Sequence, residues 1–153
     1  MNKNGFTLLE ILTVVAMTGI LAASAFGGYS KHLSKKDESV ATKEVYELAQ
    51  KLEIHRGNNF SYAGFTPASI VIPTGATGTK VKYTITINDA SSGNAAINAS
   101  TAVGRDYIIR AVSRTNEAHS FFYNSKGKRC KNKTRTRVTI SGCGTAAQGA
   151  MSW

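Results

Sequence analysis

The sequence predicts an α+β protein in which a long N-terminal helix packs on a four-stranded antiparallel β-sheet. Three observations lead to this fold class. Residues 6–26 form an apolar run, helical spacing continues to about Arg56, and the remainder contains four short segments with the composition of strands. The 153 residues, of which 42% are apolar, suffice for one domain with one modest core. That size excludes a multidomain enzyme.

The first element is the apolar run of 21 residues, 6–26, whose only charged residue is Glu10. Because a helix rises about 1.5 Å per residue, roughly 20 residues cross the ~30 Å hydrocarbon core, and the run predicts a membrane-spanning half. Lys3 precedes it and favours a cytoplasmic N-terminus with translocation of the remaining chain. A secretory signal peptide is the alternative, since residues 22–25 are small. Three lysines beyond the run weaken the orientation argument, namely Lys31, Lys35 and Lys36.

The second element is an amphipathic helix half, residues 30–58. Its apolar residues recur at intervals of three and four, which marks one helix face: Val40, Ala41, Val45, Leu48, Ala49 and Leu52. The opposite face is charged and carries Asp37, Glu38, Lys43, Glu44, Glu47 and Lys51. Gly57 and the two asparagines after it predict the helix end. We expect the apolar stripe to pack on a sheet.

Residues 59–153 predict a globular β-sheet head. An irregular stretch with three aromatic residues, 60–73, predicts a loop that packs its rings on the fold. Four later segments have the alternation or composition of strands, and they lie at about 81–87, 107–112, 120–123 and 135–140. In the last of them, Val138 and Ile140 are expected to point inward. Short connections between sequential strands favour an antiparallel meander with one face on the helix.

A specific motif, Gly5-Phe6-Thr7-Leu8-Leu9-Glu10, resembles the processing site of type IV pilin precursors. The resemblance covers about the first 30 residues, and beyond them it is architectural. It implies that a prepilin peptidase on the cytoplasmic face cuts after Gly5 and methylates the new N-terminal residue, Phe6. The family often has a proline near the end of the apolar run, where this chain has two glycines, 27 and 28. The motif favours a pilin precursor over a signal peptide.

The same resemblance assigns an assembly role to Glu10. A carboxylate inside an apolar helix costs ~2.5 to 3.5 kcal/mol at mid-bilayer and is normally retained for a partner. The partner that the family implies is the Phe6 amino group of a neighbouring subunit in the filament core. The alternative is that Glu10 lies near the membrane interface and extends its carboxylate to water, with no function.

The resemblance also implies a domain organisation, a location and a set of partners. Residues 1–5 are the leader, 6–29 the hydrophobic transmembrane and filament-core helix, 30–58 the amphipathic half, and 59–153 the head of a pilin fold. The precursor is expected in the inner membrane with its head in the periplasm, and the mature chain in an extracellular pilus. The implied partners are other pilin subunits, the prepilin peptidase and the pilus assembly machinery.

Within this group the chain resembles a minor rather than a main pilin. Pseudopilins of type II secretion share the N-terminal motif, and their major subunit carries a calcium site in the C-terminal region. Calcium needs several carboxylate oxygens, and no acid follows Glu117 in this chain. The sequence therefore favours a pilin over a pseudopilin.

The chain has two cysteines, Cys130 and Cys143, too few for a disulfide scaffold or a four-ligand zinc site. They form either one bridge or two free thiols. A translocated head lies in an oxidising compartment, which favours the bridge. The resemblance adds that pilins carry such a bridged segment, here residues 130–143, over the edge of the sheet.

The most basic part of the chain overlaps this segment: it begins before Cys130 and ends within the segment. Lys and Arg exceed Asp and Glu by 19 to 9, which predicts an anionic partner such as nucleic acid, an acidic polysaccharide or phospholipid, and charge alone does not choose among them. Seven cations with no acid between them lie in residues 126–137: Lys126, Lys128, Arg129, Lys131, Lys133, Arg135 and Arg137. If the stretch is extended, the last four share a face. The alternatives to DNA binding are an edge-protecting strand and docking on the acidic helix face of a neighbouring subunit.

The sequence does not predict an enzyme. Three histidines are scattered, no carboxylate pair lies near a nucleophile, and no phosphate-binding glycine motif follows a strand. No catalytic residue, metal site or cofactor is therefore predicted.

Overall fold

The structure, a computed structural model, describes residues 6–153, with the side chains of residues 24–28 and 30 left out. The predicted leader, residues 1–5, lies outside the described residues. The chain divides into two compact units, of which the first ends at Lys35 and the second is Lys36–Trp153.

One helix, α1, covers Leu8–Asn59. At its start the Thr7 hydroxyl accepts a hydrogen bond from the Glu10 backbone N–H at 3.3 Å, and the Glu10 carboxylate lies in the first turn, where negative charge favours a helix. At its end the chain leaves the helix through Phe60, whose φ is 56°. The predicted helix end is thus confirmed. In the described part of the chain no helix is both long and apolar enough to cross a membrane.

The sheet has five antiparallel strands rather than the predicted four, and they pair in sequence order. Their bounds are Ser69–Ile72 (β1), Tyr83–Asp89 (β2), Tyr107–Ser113 (β3), Ser120–Asn124 (β4) and Arg129–Asn132 (β5). Strands β2, β3 and β4 confirm three of the predicted segments. The prediction of a loop over 60–73 missed β1, a four-residue edge strand whose Ile70 and Ile72 pair with Ile85 and Tyr83.

The predicted fourth strand, residues 135–140, is wrong. The last strand is β5, and Arg135–Arg137 forms a 3₁₀ turn instead. Val138 and Ile140 do point inward, as predicted, but they do so from the chain after the turn, where they pack with Phe122. The apolar alternation therefore predicted the inward orientation of Val138 and Ile140 correctly, but it predicted a strand where the chain forms a turn.

The main core lies between the second half of α1 and one face of the sheet. The predicted stripe is confirmed for Ala41, Val45, Leu48, Ala49 and Leu52, whereas Val40 is exposed. These residues pack on side chains from three strands, including Tyr83, Ile85, Ile87, Ile109, Ala111 and Phe121.

The opposite face of the sheet has a smaller core of its own. Successive residues of a strand point to opposite faces, and Ile108 and Phe122 point away from the helix. They are covered by Val138 and Cys143 from the C-terminal part of the chain. The sheet is thus covered on both faces at β3, β4 and β5.

The long connection between β2 and β3 is organised by one buried carboxylate, Asp89. It accepts hydrogen bonds from Ser91 N–H, the Ser92 hydroxyl, Val103 N–H and Gly104 N–H at 2.6 to 2.9 Å. Burial would raise the pKa of Asp89, but these hydrogen bonds outweigh it and lower the pKa below its usual value. An ionised Asp89 therefore holds this loop.

Candidate functional site

The first candidate surface is an apolar segment on the first half of α1, residues 6–21. All of its large apolar side chains, from Phe6 to Leu21, are between 52 and 83% exposed. Fully burying one such side chain stabilises a protein or a complex by about 1.5 to 3 kcal/mol. A continuous exposed apolar surface of this kind marks a site that packs against another apolar partner.

Glu10 lies within this apolar segment and is exposed. Its carboxylate makes no hydrogen bond or ion pair with any residue that the structure describes. If the segment were covered, the charge would lose water, which is costly unless a cation takes its place. Phe6 lies two residues before the first residue of the helix, Leu8, and Gly5 lies outside the described residues. The processing and assembly roles of these three residues remain predictions.

The second candidate surface is formed by the C-terminal segment, residues 133–153, and is fastened to β5 by a disulfide. Cys130 and Cys143 are bonded, with their Cα atoms 5.9 Å apart, which confirms the predicted bridge. Next to it the Asn132 side chain, 2% exposed, donates to the carbonyls of Cys143 and Gln148 at 2.9 and 3.0 Å and accepts from Thr134 N–H at 2.9 Å. Asn132 therefore fixes both ends of the chain that follows it.

Trp153 fastens the far end of the C-terminal segment. Its indole N–H donates to the carbonyls of Cys130 and Phe122, at 2.9 and 3.3 Å. The ring lies 5.2 Å from the rings of Tyr46 on α1 and of Phe121. Sequence reasoning missed both Asn132 and Trp153, because a single polar or aromatic residue carries no periodic pattern.

The seven cations of the basic stretch do not share one face. Lys126 and Lys128 lie in the turn between β4 and β5, Arg129 and Lys131 in β5, and the others beyond the strand. The strand ends at Asn132, where the buried side chain turns the chain, so the extended conformation on which the shared face depended is absent. The structure does not test whether these residues bind DNA.

Four of the seven cations already have partners in the head. Lys126 lies 3.6 Å from Asp106, and the Lys128 ammonium donates to the Ser141 carbonyl at 3.4 Å. Arg129 donates to the Tyr46 hydroxyl at 2.9 Å, and Arg135 donates to the Arg114 carbonyl at 3.2 Å. Within the described residues the side chains of the other three make no hydrogen bond or ion pair, namely Lys131, Lys133 and Arg137.

The neighbouring aromatic residues are not available to stack on bases. Phe121 and Phe122 are 2 and 1% exposed and face opposite sides of the sheet. The Tyr123 ring lies 5.9 Å from that of Tyr46 and 6.5 Å from that of Trp153. Any nucleic acid on this surface would thus be contacted through its phosphates.

Several acids of the helix are occupied as well. The Glu38 carboxylate accepts from His119 N–H at 2.7 Å, Glu47 lies 3.6 Å from Lys43, and Glu53 accepts from the Tyr62 hydroxyl at 2.9 Å. Burial raises the pKa of Tyr107, which also donates to Glu53, and the charge of Glu53 raises it further. Of the acids on the charged helix face, Glu38 thus contacts the head, and Glu47 pairs with Lys43 of the same helix.

No group of three or more metal-ligating side chains occurs among the residues that the structure describes.

Comparison with known proteins places this geometry in context. Residues 1–26 match the prokaryotic N-terminal methylation motif. The type IV major fimbrial protein FimA of Dichelobacter nodosus is 28% identical over 57% of this chain and 66% of its own length. The type IV wide pilus major component PilA4 of Thermus thermophilus is 29% identical over 60% of this chain and 70% of its own length. The type II secretion system core protein G of Pseudomonas aeruginosa is 33% identical over 39 and 42%.

The chain thus spans about two thirds of the two pilus proteins and less than half of the core protein. No solved structure matches it. These relatives are pilins and a secretion-system component, which agrees with the prediction that the chain is not an enzyme.

Proposed function

We propose that this chain, which carries the N-terminal methylation motif and has type IV pilins among its relatives, is a minor subunit of a type IV pilus. The observation that carries the proposal is the exposed apolar segment inside the motif, in which the Glu10 carboxylate has no partner among the described residues. A surface of this kind has to be covered, and copies of the same helix in neighbouring subunits would cover it.

In this proposal a prepilin peptidase removes residues 1–5 and methylates Phe6, and the pilus assembly machinery packs the apolar segments together. Burial of the apolar side chains drives association. The Phe6 amine of the neighbouring subunit neutralises Glu10, so that its carboxylate is not buried alone. Before assembly the precursor is held at the inner membrane with its head in the periplasm, where an oxidising environment maintains the disulfide.

Filament incorporation of a Glu10→Val variant tests the assembly role. We expect the variant to be processed normally but to be depleted in sheared filaments, because no carboxylate remains for the amine. Glu117→Gln removes an exposed acid of the head and serves as the matched control. Incorporation of Glu10→Val at the control level would contradict the role. The copy number of this chain in pilus filaments distinguishes a minor from a major subunit. If the chain is found in secretion filaments instead, the pseudopilin alternative is favoured.

A second candidate function is that of a pilus-borne DNA receptor. Lys133 and Arg137, whose side chains have no partner among the described residues, lie in the first part of the C-terminal segment. This part covers the sheet face opposite the second half of α1 through Val138 and Cys143. A surface on that face remains accessible when the helix side packs against other subunits. The full chain in detergent is expected to shift duplex DNA at near-physiological salt, and failure to do so would remove this candidate.

A further inference from the structure

The 3₁₀ turn Arg135–Arg137 stands between two polar clefts. One cleft, of about 430 Å³, lies beside the disulfide and the end of the turn. Its lining includes Lys128, Arg137, Thr139 and Ser141. The other, of about 420 Å³, is lined by Asn116, Lys133, Thr134 and Arg135. Both clefts are also lined by Thr136, which therefore forms the wall between them.

The clefts have the chemistry of anion sites. Each cleft is lined by two cationic side chains and by at least two hydroxyl groups. No carboxylate lines either cleft. Ammonium, guanidinium and hydroxyl groups donate hydrogen bonds to phosphate oxygens, whereas a carboxylate would repel them. We propose that the two clefts bind neighbouring phosphates of a nucleic-acid strand, with Lys133 on one side of Thr136 and Arg137 on the other.

This inference deepens the second candidate function and rests on it. It narrows the seven cations to those that face the clefts. Lys126, Arg129 and Lys131 are excluded because they line neither cleft, and the first two are also paired with Asp106 and Tyr46. Since no aromatic side chain lines either cleft, contacts in the clefts are to phosphates, which carry no base-sequence information.

The turn is also rigidly held, so that binding orders little of the chain. Its near end follows the buried Asn132, and its far end leads into Val138, which is buried under the sheet. Within the turn, Arg137 N–H donates to the Thr134 carbonyl at 2.9 Å, and the Arg135 guanidinium is tied to the Arg114 carbonyl. A preorganised site of this kind loses little affinity to conformational entropy.

The test compares two double variants of the full chain in detergent that remove the same charge. Lys133→Gln with Arg137→Gln removes a cation from each cleft, and Lys51→Gln with Lys80→Gln removes two exposed cations elsewhere. Affinity for a fluorescent duplex of random sequence is measured by anisotropy as a function of salt. The slope of log affinity on log salt is about −0.9 per neutralised phosphate. The cleft variant lacks two cations, so its slope should be less steep by about 1.8. The same relation predicts roughly 60-fold weaker binding at about 0.1 M salt.

The outcomes separate the site from the function. If the unmodified chain does not bind the duplex, the receptor function fails and the inference fails with it. If the unmodified chain binds but the two double variants weaken binding equally, the attraction is a general effect of net charge and the cleft assignment is wrong. If the cleft variant binds DNA normally but is depleted in filaments, the turn is a docking surface for a neighbouring subunit, which also overturns the inference. An unchanged fluorescence spectrum of Trp153 verifies that each variant is folded.

Discussion

Replacing Asn132 by alanine should release the C-terminal segment from the sheet. The buried side chain makes three hydrogen bonds, two of them to the carbonyls of Cys143 and Gln148. Leaving a buried acceptor unpaired costs about 1 to 3 kcal/mol, and the two more exposed groups contribute about 1 kcal/mol each. Asn132→Ala is therefore expected to lower the free energy of unfolding by roughly 3 to 5 kcal/mol.

The assay is urea unfolding of the full chain in detergent, followed by fluorescence. Trp153 is the chain's one tryptophan, and it reports on the segment because it packs on Tyr46 and Phe121. Asn98→Ala is the matched control, since Asn98 is exposed and its side chain makes no hydrogen bond with the described residues. The control should change the free energy of unfolding by less than about 0.5 kcal/mol. If Asn132→Ala is as stable as the control, the reasoning about the anchor is refuted.

Three further predictions concern processing, the disulfide and pH. Gly5→Ala should leave the leader attached, because the proposed cleavage follows this residue, and a blot that shows normally processed protein would contradict it. Thiol labelling under denaturing, non-reducing conditions should find no free cysteine, and replacing Cys130 and Cys143 by serine should lower the free energy of unfolding by about 3 kcal/mol; two labelled thiols would disprove the bridge. The Asp89 pKa is lower in the folded state, so its contribution to stability is present above the unfolded pKa of about 3.9 and is lost as the pH falls through the folded value. Unfolding measured at neutral and acid pH should therefore show that Asp89→Asn lowers the free energy of unfolding at neutral pH and makes this free energy less dependent on pH. An unchanged pH dependence would count against this role.

The elements that the sequence predicted correctly are those with a repeating apolar pattern that one core explains. The stripe from Ala41 to Leu52 and the alternation of β2 both face the same core. Strand β1 has only four residues between two prolines, and it is a strand because β2 pairs with it. Such a strand depends on its tertiary partner and leaves little pattern of its own.

In the basic stretch the sequence has an apolar pattern, but the pattern does not come from a strand. The alternation at Val138 and Ile140 arises because this part of the chain covers the second face of the sheet. Phe122 faces the same side, whereas Phe121 faces the helix, and neither fact is visible until the C-terminal segment is placed. The positions of Asn132 and Trp153 depend on the same long-range packing.

The proposed function requires that this chain is processed after Gly5 and assembled as a filament subunit. Mass spectrometry of sheared filaments tests it most directly, because it identifies both the subunit and its N-terminal residue. The filaments are expected to contain this chain beginning at an N-methylated Phe6. Filaments that lack the chain, or a chain that begins at Met1 or at a residue within the apolar segment, would contradict it.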